Sequence, residues 1–533
     1  MNRHKALALL LALCMLLLLP ACGGEDTHTL RTCLPEVPST LDPAMVTTQT
    51  EQMVVSHLFE NLMKRTSDGS GGYKTTNGAA RGHQVETDSN GQQIYTFTLR
   101  SGLTWSDGQA VTAADFVYAW QRLADPATGS PNAQLLSMVA GYDQVRSTGD
   151  VSKLQVSAPN ENTFVVVLSQ PTSYFLDEIC TAAATMPVRA DAVSQEGWSL
   201  NPQTLLTNGP YRVQQWQDDV LTASVAEDYY DARRLGPDVL EFRFQPDTQA
   251  AMELYESGEV DFVLGLSDEM IAQQGENYLA DPLARVTVLI VNQMSDSTIG
   301  EKLRQAMSLV IPRNAITQEL GAQRYWPAEG LIPYGIRNTA GADYRTAAGP
   351  MLEVNPELYD ACCQAARELI AGQTLPSSGI TLTFDSDMAP AAEQIRNAWE
   401  QELGLSVTLQ PLSAGDLATT LSKSDFTVAL TTLSSKINDA SAFLDDWTSD
   451  SQSNVGHIHS TAYDLLLRII GNSDNAEARD AYLVDAERLL LDNGHVIPVY
   501  CHTTTWLLRS GLTGLFGSGT GLYYFTGVVH QSN

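Results

Sequence analysis

Hydrophobic and polar residues follow two different periods along this chain, and both recur over its length. Residues 94–99 alternate with a period of two, as a half-buried strand does. After Thr112, which can cap a helix together with Asp115, apolar residues such as Phe116 and Trp120 recur at helical spacing. The pattern therefore predicts a protein that mixes α-helices and β-strands.

The other predicted elements continue this mixture. We predict further strands at residues 163–168, 209–213, 260–263, 380–384, 406–410 and 426–430, and helices at residues 248–258, 301–310, 357–371 and 476–491. Strands alternate with helices in the second half, which favours βαβ units with parallel pairing. The large aromatic residues at strand or helix spacing are expected in the core, not in a ligand site: Phe97, Trp105, Trp120 and Trp216.

The first residues have the pattern of an export signal. Residues 1–5 are basic, residues 6–19 are apolar but short for a membrane span, and Cys22 follows the small residue Ala21. This is the pattern of a bacterial lipobox, so we predict a signal peptide at 1–21, lipidation of Cys22 and a lipidated tether at 22–27. Acyl chains hold a protein at a membrane because each buried methylene contributes about 0.8 kcal/mol. An ordinary signal peptide with a chance cysteine is the alternative.

Length and charge narrow the class of protein. A chain of 533 residues has room for roughly three domains or two large lobes. Its formal net charge of −31 describes a surface that repels phosphate backbones and anionic headgroups. We therefore expect no nucleic acid partner, and contact with the membrane only through the lipid anchor.

Candidate chemistry in the sequence is sparse. With Cys14 in the signal and Cys22 lipidated, five cysteines remain, and their spacing predicts buried thiols without a disulfide framework or a metal site: Cys33, Cys180, Cys362, Cys363 and Cys501. The sequence contains no Gly-x-Ser-x-Gly elbow and no His-Glu-x-x-His motif. His457 and His459 lack a nearby partner at metal spacing and are predicted to lie in a loop. We expect a protein that is not an enzyme and has no cofactor, with an extracytoplasmic hydrolase as the alternative.

Two adjacent blocks carry a family resemblance. Residues 95–108 end in Trp105-Ser106-Asp107-Gly108, and residues 111–126 contain Asp115-Phe116-Val117-Tyr118. Together they closely resemble the signature of the extracytoplasmic solute-binding proteins of ABC importers, in the oligopeptide- and dipeptide-binding family, family 5. Further blocks similar to the family follow in order over nearly all of the chain after the signal: 41–43, 58–62, 171–175, 186–188, 208–211, 229–232, 254–261, 303–309 and 497–500.

The resemblance implies an α/β fold of the periplasmic-binding-protein-like type II, with two lobes, an extra domain and a hinge of two segments. By analogy, lobe I comprises residues 28–71, 193–262 and 491–533, the extra domain 72–192, and lobe II 263–490. The hinge crossings would lie near 261–265 and 497–502. The ligand would be buried between the lobes, and closure would exclude water from it.

The resemblance also implies a function. The protein would be the lipid-anchored substrate-binding component of an ABC importer, capturing peptides or peptide-like solutes and delivering them to a membrane permease. Its partners would be the solute and the permease and ATPase complex, and it would act as a monomer at the extracytoplasmic face. A receptor or adhesin lipoprotein without transport is an alternative that the sequence does not separate from an importer component.

Several ligand contacts follow from the same resemblance. A protein that accepts many peptides should pair with the peptide backbone as an added strand would. The family's first contact segment falls at Thr47, Thr48 and Gln49, for which an exposed polar loop is the alternative. A pocket residue falls at Asn132, where the family often has an aromatic side chain, and contacts on the closing strand fall at Tyr500 and His502.

The chain departs from the family in lobe II. Where peptide binders carry Arg-Ala-Gly-Trp and then an Asp that holds the ligand ammonium, this chain has Leu430 at the Arg position and Lys436 at the Asp position. The intervening residues are also predicted contacts: Thr431, Thr432, Leu433 and Ser434. Two ammonium groups repel each other in a dry cleft. Either Asp439 anchors the ammonium instead, or the ligand is a blocked peptide, a carboxylate or a non-peptide solute. The alternative is a small register shift that turns Lys436 to solvent.

Overall fold

The computed structural model describes residues 28–69, 71–275, 277–294, 299–473 and 475–531. The predicted signal peptide, Cys22 and the tether lie outside these residues. The described chain forms two lobes connected by one large β-sheet, and a further four-stranded sheet lies in the extra domain. The two-lobed α/β fold expected from the sequence is confirmed.

The strands are numbered in chain order. They are β1 (Thr29–Leu34), β2 (Met63–Ser67), β3 (Tyr73–Asn77), β4 (Ala80–Thr87), β5 (Gln93–Leu99), β6 (Val156–Asn160), β7 (Thr163–Leu168), β8 (Tyr211–Gln217), β9 (Val220–Val225), β10 (Val239–Phe244), β11 (Phe262–Leu264), β12 (Leu279–Val291), β13 (Tyr325–Pro327), β14 (Ile380–Asp385), β15 (Val407–Leu412), β16 (Val428–Ser434), β17 (Val496–Leu508), β18 (Leu512–Thr513), β19 (Phe516–Gly517), β20 (Tyr523–Tyr524) and β21 (Val529–His530).

The α-helices are numbered in the same way. They are α1 (Gln49–Leu58), α2 (Ala113–Ala124), α3 (Tyr142–Thr148), α4 (Ala190–Val193), α5 (Thr248–Ser257), α6 (Asp268–Gln274), α7 (Glu301–Leu309), α8 (Arg313–Leu320), α9 (Tyr344–Ala348), α10 (Tyr359–Ile370), α11 (Ala389–Leu403), α12 (Ala414–Ser422), α13 (Thr461–Gly471) and α14 (Ala476–Asp492).

The predicted elements are found close to their expected bounds. Helix α2 begins after Thr112, whose N–H donates to the Asp115 carboxylate at 2.8 Å. Helix α5 ends at Gly258, which has a φ of +83° that side chains other than glycine rarely adopt. In lobe II, β14 pairs in parallel with both β15 and β16, which confirms the predicted βαβ pattern.

The large sheet runs through both lobes in the order β15-β14-β16-β12-β17-β11-β1-β10-β9-β8. Its two 13-residue strands, β12 and β17, cross from one lobe to the other. Toward lobe II, Ile290 of β12 pairs with Val496 of β17, and toward lobe I, Leu279 pairs with Trp506. The pairing register is interrupted between Pro282 and Val286, which places an irregularity where the lobes join.

The observed crossing differs from the prediction in one segment. The predicted crossing at 497–502 lies in β17, but the one at 261–265 lies mostly in β11, which pairs with β1 inside lobe I. The second crossing strand is β12, which we did not predict because Pro282 and Arg285 interrupt its apolar pattern. The next helix also packs in lobe I, since Met270 shares a hydrophobic cluster with Cys33. Lobe I therefore extends past the predicted boundary at residue 262.

One continuous core joins lobe I to the extra domain. The extra domain sheet has the order β4-β5-β7-β6. Phe97 and Trp120 from this domain share a hydrophobic cluster with Phe242 of lobe I and Phe525 of the C-terminal tail. Trp105 belongs to the same cluster, and Trp216 packs against it while half-buried, so the predicted structural role of the aromatic residues is confirmed. The extra domain and lobe I thus form one wall of the cleft.

Lobe II has a separate core on each face of its part of the sheet. Leu289 and Val291 face one cluster, whereas Val288 and Ile290 face the other, as the alternation of a strand requires. The five described cysteines are free thiols. Cys362 is partly buried, and the other four are buried as predicted: Cys33, Cys180, Cys363 and Cys501. Within the described ranges, no helix combines the length and apolar character that a membrane crossing needs.

Candidate functional site

A cavity of about 30 Å³ lies where the two walls meet. Its lining comes mostly from lobe I and the extra domain, and Lys436 contributes from lobe II: Val46, Gln52, Ser56, Arg65, Asn132, Leu135, Glu178, Thr181, Ala182, Ala183, Ala184, Lys436, Thr520, Leu522 and Tyr524. At about 30 Å³, this interlobe cavity is far smaller than the roughly 300–1,000 Å³ of pockets that enclose small-molecule ligands. A solute of several atoms therefore requires the lobes to move apart.

Two predicted contact residues meet at this cavity. The Asn132 side chain is buried and donates to the carbonyl oxygens of Ala44 at 3.3 Å and Val46 at 2.7 Å. These two bonds orient the amide so that its Oδ1 accepts from Lys436 Nζ at 2.7 Å. Asn132 and Lys436 are far apart in sequence, and the fold brings them together across the cleft.

The Lys436 ammonium has only neutral partners here. Besides Asn132, it donates to the carbonyl of Pro131 at 3.4 Å. Among the described residues it forms no ion pair. Desolvation lowers the pKa of Lys436. The Lys436 side chain as a whole is exposed, which places this cation at the edge of the cleft.

Asp439 is engaged elsewhere in lobe II. Its two carboxylate oxygens accept from Arg479 at 2.8 and 3.2 Å, and both side chains are buried. Asp439 also accepts from the N–H of Ser441 at 2.9 Å, which begins a short helical turn. In this arrangement the Asp439 carboxylate is paired with the Arg479 guanidinium inside lobe II.

The segment at Thr47, Thr48 and Gln49 forms the start of helix α1. The Glu51 carboxylate accepts from the N–H groups of Thr47 at 2.8 Å and Thr48 at 3.1 Å, and the Thr48 hydroxyl accepts from the Glu51 N–H. These N–H groups are therefore not free to pair with a peptide strand. Gln49 instead donates to the carbonyl of Thr520 at 3.3 Å.

A second group of predicted residues meets on the central strands. Thr287 of β12 lies between Thr432 of β16 and His502 of β17, with its hydroxyl 2.9 Å from each partner atom. The ring of Tyr500 is centred 5.3 Å from that of His502. Burial, and then the charge of Arg285, lowers the pKa of His502 to about 3, so its imidazole is neutral near pH 7. Thr287 was missed because β12 was not predicted.

The rest of the predicted lobe II stretch is divided between the two faces of β16. Leu433 packs against one of the lobe II cores, Ser434 is exposed and Thr431 is half-buried. Alternate residues of a strand point to opposite faces. Among the described residues of this stretch, Thr432 is the one whose side chain bonds Thr287.

The structure adds a buried cluster that the sequence did not reveal. The Glu178 carboxylate accepts from Arg65 at 2.8 Å and from the Tyr73 hydroxyl at 3.0 Å. Its third donor is the N–H of Asn438 in lobe II, at 3.0 Å. Arg337, also in lobe II, stacks 3.6 Å from the Tyr73 ring and donates to the Tyr73 carbonyl. No short motif marks these residues, because their partners are distant in sequence.

The glycine-rich segment at residues 517–521 lies at the same interface. A Cβ on Gly519 would come within 1.9 Å of the carbonyl oxygen of Gly335 in lobe II. A Cβ on Gly521 would come within 2.2 Å of the Gln49 amide. Glycine at 519 allows the backbones of the two walls to touch, and glycine at 521 leaves room for the Gln49 side chain of lobe I. This segment is therefore part of the contact between the lobes.

Comparisons with known proteins agree with this architecture. The family model described as bacterial extracellular solute-binding proteins, family 5 Middle, matches residues 76–455. The probable deoxycholate-binding periplasmic protein YgiS of Escherichia coli (strain K12) is 28% identical over 495 residues, which cover 90% of this chain and 88% of that protein.

Two further proteins are similar over almost the whole chain. The periplasmic oligopeptide-binding protein OppA of Salmonella typhimurium is 27% identical and covers 90% of this chain and 88% of its own length. The unliganded open form of the periplasmic murein tripeptide binding protein MppA has the same fold, with a TM-score of 0.81, 23% identity, and coverage of 95% and 98% of the two chains. All three of these relatives are named as binding proteins. The chain belongs to family 5 of the bacterial extracellular solute-binding proteins.

Proposed function

We propose that this protein is the lipid-anchored substrate-binding component of an ABC importer, which captures peptides or peptide-like solutes between its two lobes and delivers them to a permease. The observation that carries the proposal is the contact of Asn132 with Lys436 across the interlobe cavity. Two segments from opposite walls supply polar side chains to one closed space. In a family of solute-binding proteins, that space is the natural place for the solute.

The proposed ligand contacts lie on both walls. Lobe I and the extra domain contribute Thr47, Thr48, Gln49 and Asn132, and lobe II with the closing strand contributes Thr431, Thr432, Leu433, Ser434, Lys436, Asp439, Tyr500 and His502. Of these, Asn132 and Lys436 have the strongest geometric support, because they bond each other at the interlobe cavity. Thr432 and His502 meet at Thr287 on the central strands. When the lobes part, the Asn132 and Lys436 partners become available to a ligand.

Two classes of ligand are candidates for the contact with Lys436. Peptide binding is supported by the OppA relative, which is named an oligopeptide-binding protein. A non-peptide carboxylate is the second candidate, because Lys436 lacks a carboxylate partner and the 28% identical relative is named for deoxycholate, a carboxylate. A carboxylate would gain a charge-assisted bond from Lys436, whereas a free peptide ammonium would be repelled.

The anchoring and the partners are part of the same proposal. Lipidation at Cys22 would hold the body at the extracytoplasmic face of the membrane without a spanning helix, and this position is where an importer's permease takes up solute. The protein would act as a monomer, since one chain supplies both walls of the cleft. The mass of the N-terminal peptide of the membrane-extracted protein tests the anchor, because acylation adds the mass of the acyl groups to Cys22.

Native mass spectrometry of the protein purified without denaturation tests the solute-binding function. We expect a mass excess from a bound solute that is released intact on unfolding and identified as a short peptide or a carboxylate. Incubation of the protein with a peptide mixture should leave every peptide at its original mass. Cleaved peptides would instead support a hydrolase and overturn the binding-only account.

A further inference from the structure

A wide groove on lobe I and the extra domain has a charge opposite to that of the whole protein. It has a volume of about 1120 Å³ and is lined by six cationic side chains: Lys64, Arg65, Lys74, Arg100, Arg233 and Arg234. Within the described part of the chain, three carboxylates line it: Glu60, Glu227 and Asp231. In the chain as a whole, carboxylates outnumber cations by 62 to 31, so the ratio is inverted in this basic groove.

Some charged side chains of the basic groove are buried or paired, and the others are exposed to solvent. Arg65 is buried and paired with Glu178, so it adds nothing to the outer field. Lys64 pairs with Asp231 at 2.8 Å, and the Glu60 carboxylate accepts from the hydroxyls of two tyrosines. Lys74, Arg233 and Arg234 are exposed, and Arg234, with 83% of its side chain exposed, has only a loose contact of 3.5 Å with Asp231. These three cations and the exposed Glu227 form the accessible part of the groove, which leaves it an excess of positive charge.

The rim of the basic groove is also where the described chain begins. The rim residues Arg234 and Leu235 are followed at once by Gly236, whose carbonyl lies 3.2 Å from the His28 ring nitrogen. The His28 N–H donates to Asp238 at 2.8 Å, which fixes the start of the body at this rim. Cys22 is six residues before His28, so the intervening chain spans about 20 Å when fully extended.

We propose that the basic groove is a membrane-facing surface that binds anionic lipid headgroups and orients the body on the bilayer. This inference rests on the proposed lipid anchor at Cys22. With that anchor, a tether of about 20 Å keeps the groove rim close to the bilayer, and a relaxed tether keeps it closer still. Electrostatic attraction acts over a Debye length of about 8 Å at physiological salt, so the groove lies within reach of the headgroups.

The charge of the remaining body strengthens the orientation. The net charge of −31 repels an anionic bilayer from most of the surface, and the basic groove is a region where the sign changes. Each Lys or Arg near an anionic surface favours binding by about 1 kcal/mol, or about fivefold. The sequence-based expectation that headgroups are repelled therefore applies to the average surface and not to this face.

The test uses the full-length lipoprotein in vesicles of phosphatidylcholine, with and without phosphatidylglycerol. An amine-reactive reagent modifies exposed lysines, and mass spectrometry compares the rate at Lys74 with the rate at Lys423, an exposed lysine of lobe II. We expect phosphatidylglycerol to slow modification of Lys74 about fivefold and to leave Lys423 unchanged. About 1 M NaCl should remove the difference, because it shortens the Debye length to about 3 Å.

A pair of variants assigns the effect to the groove. Arg233→Gln with Arg234→Gln should abolish the protection of Lys74. Arg396→Gln with Arg488→Gln, which removes one half-buried and one exposed charge from lobe II helices, should preserve it. Equal modification of Lys74 on both vesicles would overturn the inference, and it would then point to an acidic protein partner for the groove. If the protein fails to associate with either vesicle and Cys22 carries no acyl mass, the proposed anchor itself is wrong.

Discussion

The molecule contains two buried arginine–glutamate pairs, one inside lobe II and one beside the cleft. They consist of the same chemical groups, but only the second one contacts the opposite wall. Arg345 and Glu487 lie inside lobe II, with side chains that are 1% and 0% exposed. Arg65 and Glu178 lie beside the cleft, 4% and 3% exposed. Each glutamate also accepts from a tyrosine hydroxyl and from backbone N–H groups, so the two sites are close chemical matches.

The two glutamates differ in which lobe supplies their hydrogen-bond donors. Glu487 accepts from the Tyr344 hydroxyl and from the N–H groups of Leu331 and Ile332, all of lobe II. Glu178 accepts from Tyr73 on its own wall and from Asn438 on the opposite wall. Moving the lobes apart leaves Glu487 fully bonded and removes one donor from Glu178. The Arg345–Glu487 pair therefore stabilises lobe II alone. The Arg65–Glu178 pair also contributes to the contact that forms when the lobes close.

The largest expected effect is on the pair inside lobe II. Glu487→Gln leaves Arg345 buried without a countercharge, and breaking a buried pair in this way costs about 3–5 kcal/mol. We expect a loss of that size in the free energy of unfolding, measured by denaturant titration. Ligand affinity of the folded fraction should be unchanged, because no donor of Glu487 crosses the cleft. Weakened binding in the folded protein would show that the two pairs are not separate in function.

The matching variant at the cleft, Glu178→Gln, should lower both the free energy of unfolding and the affinity for ligand. Glu178→Gln removes the countercharge of Arg65, and the oxygen that accepts from both Arg65 and the Asn438 N–H becomes a neutral amide oxygen. Because Arg65 lines both the interlobe cavity and the basic groove, water can reach its unpaired guanidinium. We expect a smaller loss of stability, about 1–3 kcal/mol, together with weaker ligand binding. Calorimetry on the folded protein measures the affinity. A variant that loses stability as Glu487→Gln does, with no change in affinity, would remove Glu178 from the closure contact.

The glycine contact tests closure without touching either ion pair. Gly519→Ala puts a Cβ 1.9 Å from the Gly335 carbonyl, and the clash is relieved by separating the lobes. We expect a larger radius of gyration in small-angle X-ray scattering and about tenfold weaker binding, equivalent to about 1.4 kcal/mol. Gly415→Ala is the control, because its added Cβ meets nothing within 4 Å. Equal scattering from the two variants would contradict the contact.

Lys436 extends the comparison to a cation that has no acidic partner among the residues that the structure describes. Lys436→Asp should strengthen the binding of peptides with a free N-terminus by about tenfold, or about 1.4 kcal/mol, and weaken the binding of carboxylate solutes. Lys423→Asp makes the same charge change on an exposed part of lobe II and should have little effect. Unchanged calorimetric affinities for both ligand types would place Lys436 outside the site.

The smallest expected effect is that of pH on the closing strand. Because the pKa of His502 is lowered to about 3, its imidazole stays neutral from pH 7 to pH 5 and binds no proton over that range. An ordinary histidine would gain a proton as the pH falls through about 6.5. We expect ligand affinity to be flat between pH 7 and pH 5. A transition near pH 6.5 that disappears in His502→Asn would show that His502 titrates in the site.

Local patterns were sufficient for most of the fold. The strand at β5, the capped start of α2 and the parallel strands around β14 all follow from periodicity and turn residues over short segments. Strand β12 could not be predicted in this way. Pro282 and Arg285 break its alternation, and its place in the sheet depends on pairing with β16 and β17 more than a hundred residues away.

The candidate ligand contacts came from the family resemblance and not from local patterns. Asn132 and Lys436 were identified, but their contact joins residues 304 positions apart, which local sequence patterns do not report. The bond of Asn438 to Glu178 spans 260 positions, and neither residue belongs to a motif. Thr47 and Thr48 were assigned to a peptide-pairing edge, whereas the Glu51 carboxylate takes both N–H groups in the folded chain.

The central claim is that one solute is held by both walls at once, and hydrogen–deuterium exchange with and without the co-purified solute tests it most directly. The account predicts slower exchange in two distant segments together, around Asn132 in the extra domain and around residues 436–438 in lobe II. Protection confined to one wall, with exchange in the other unchanged, would contradict the account.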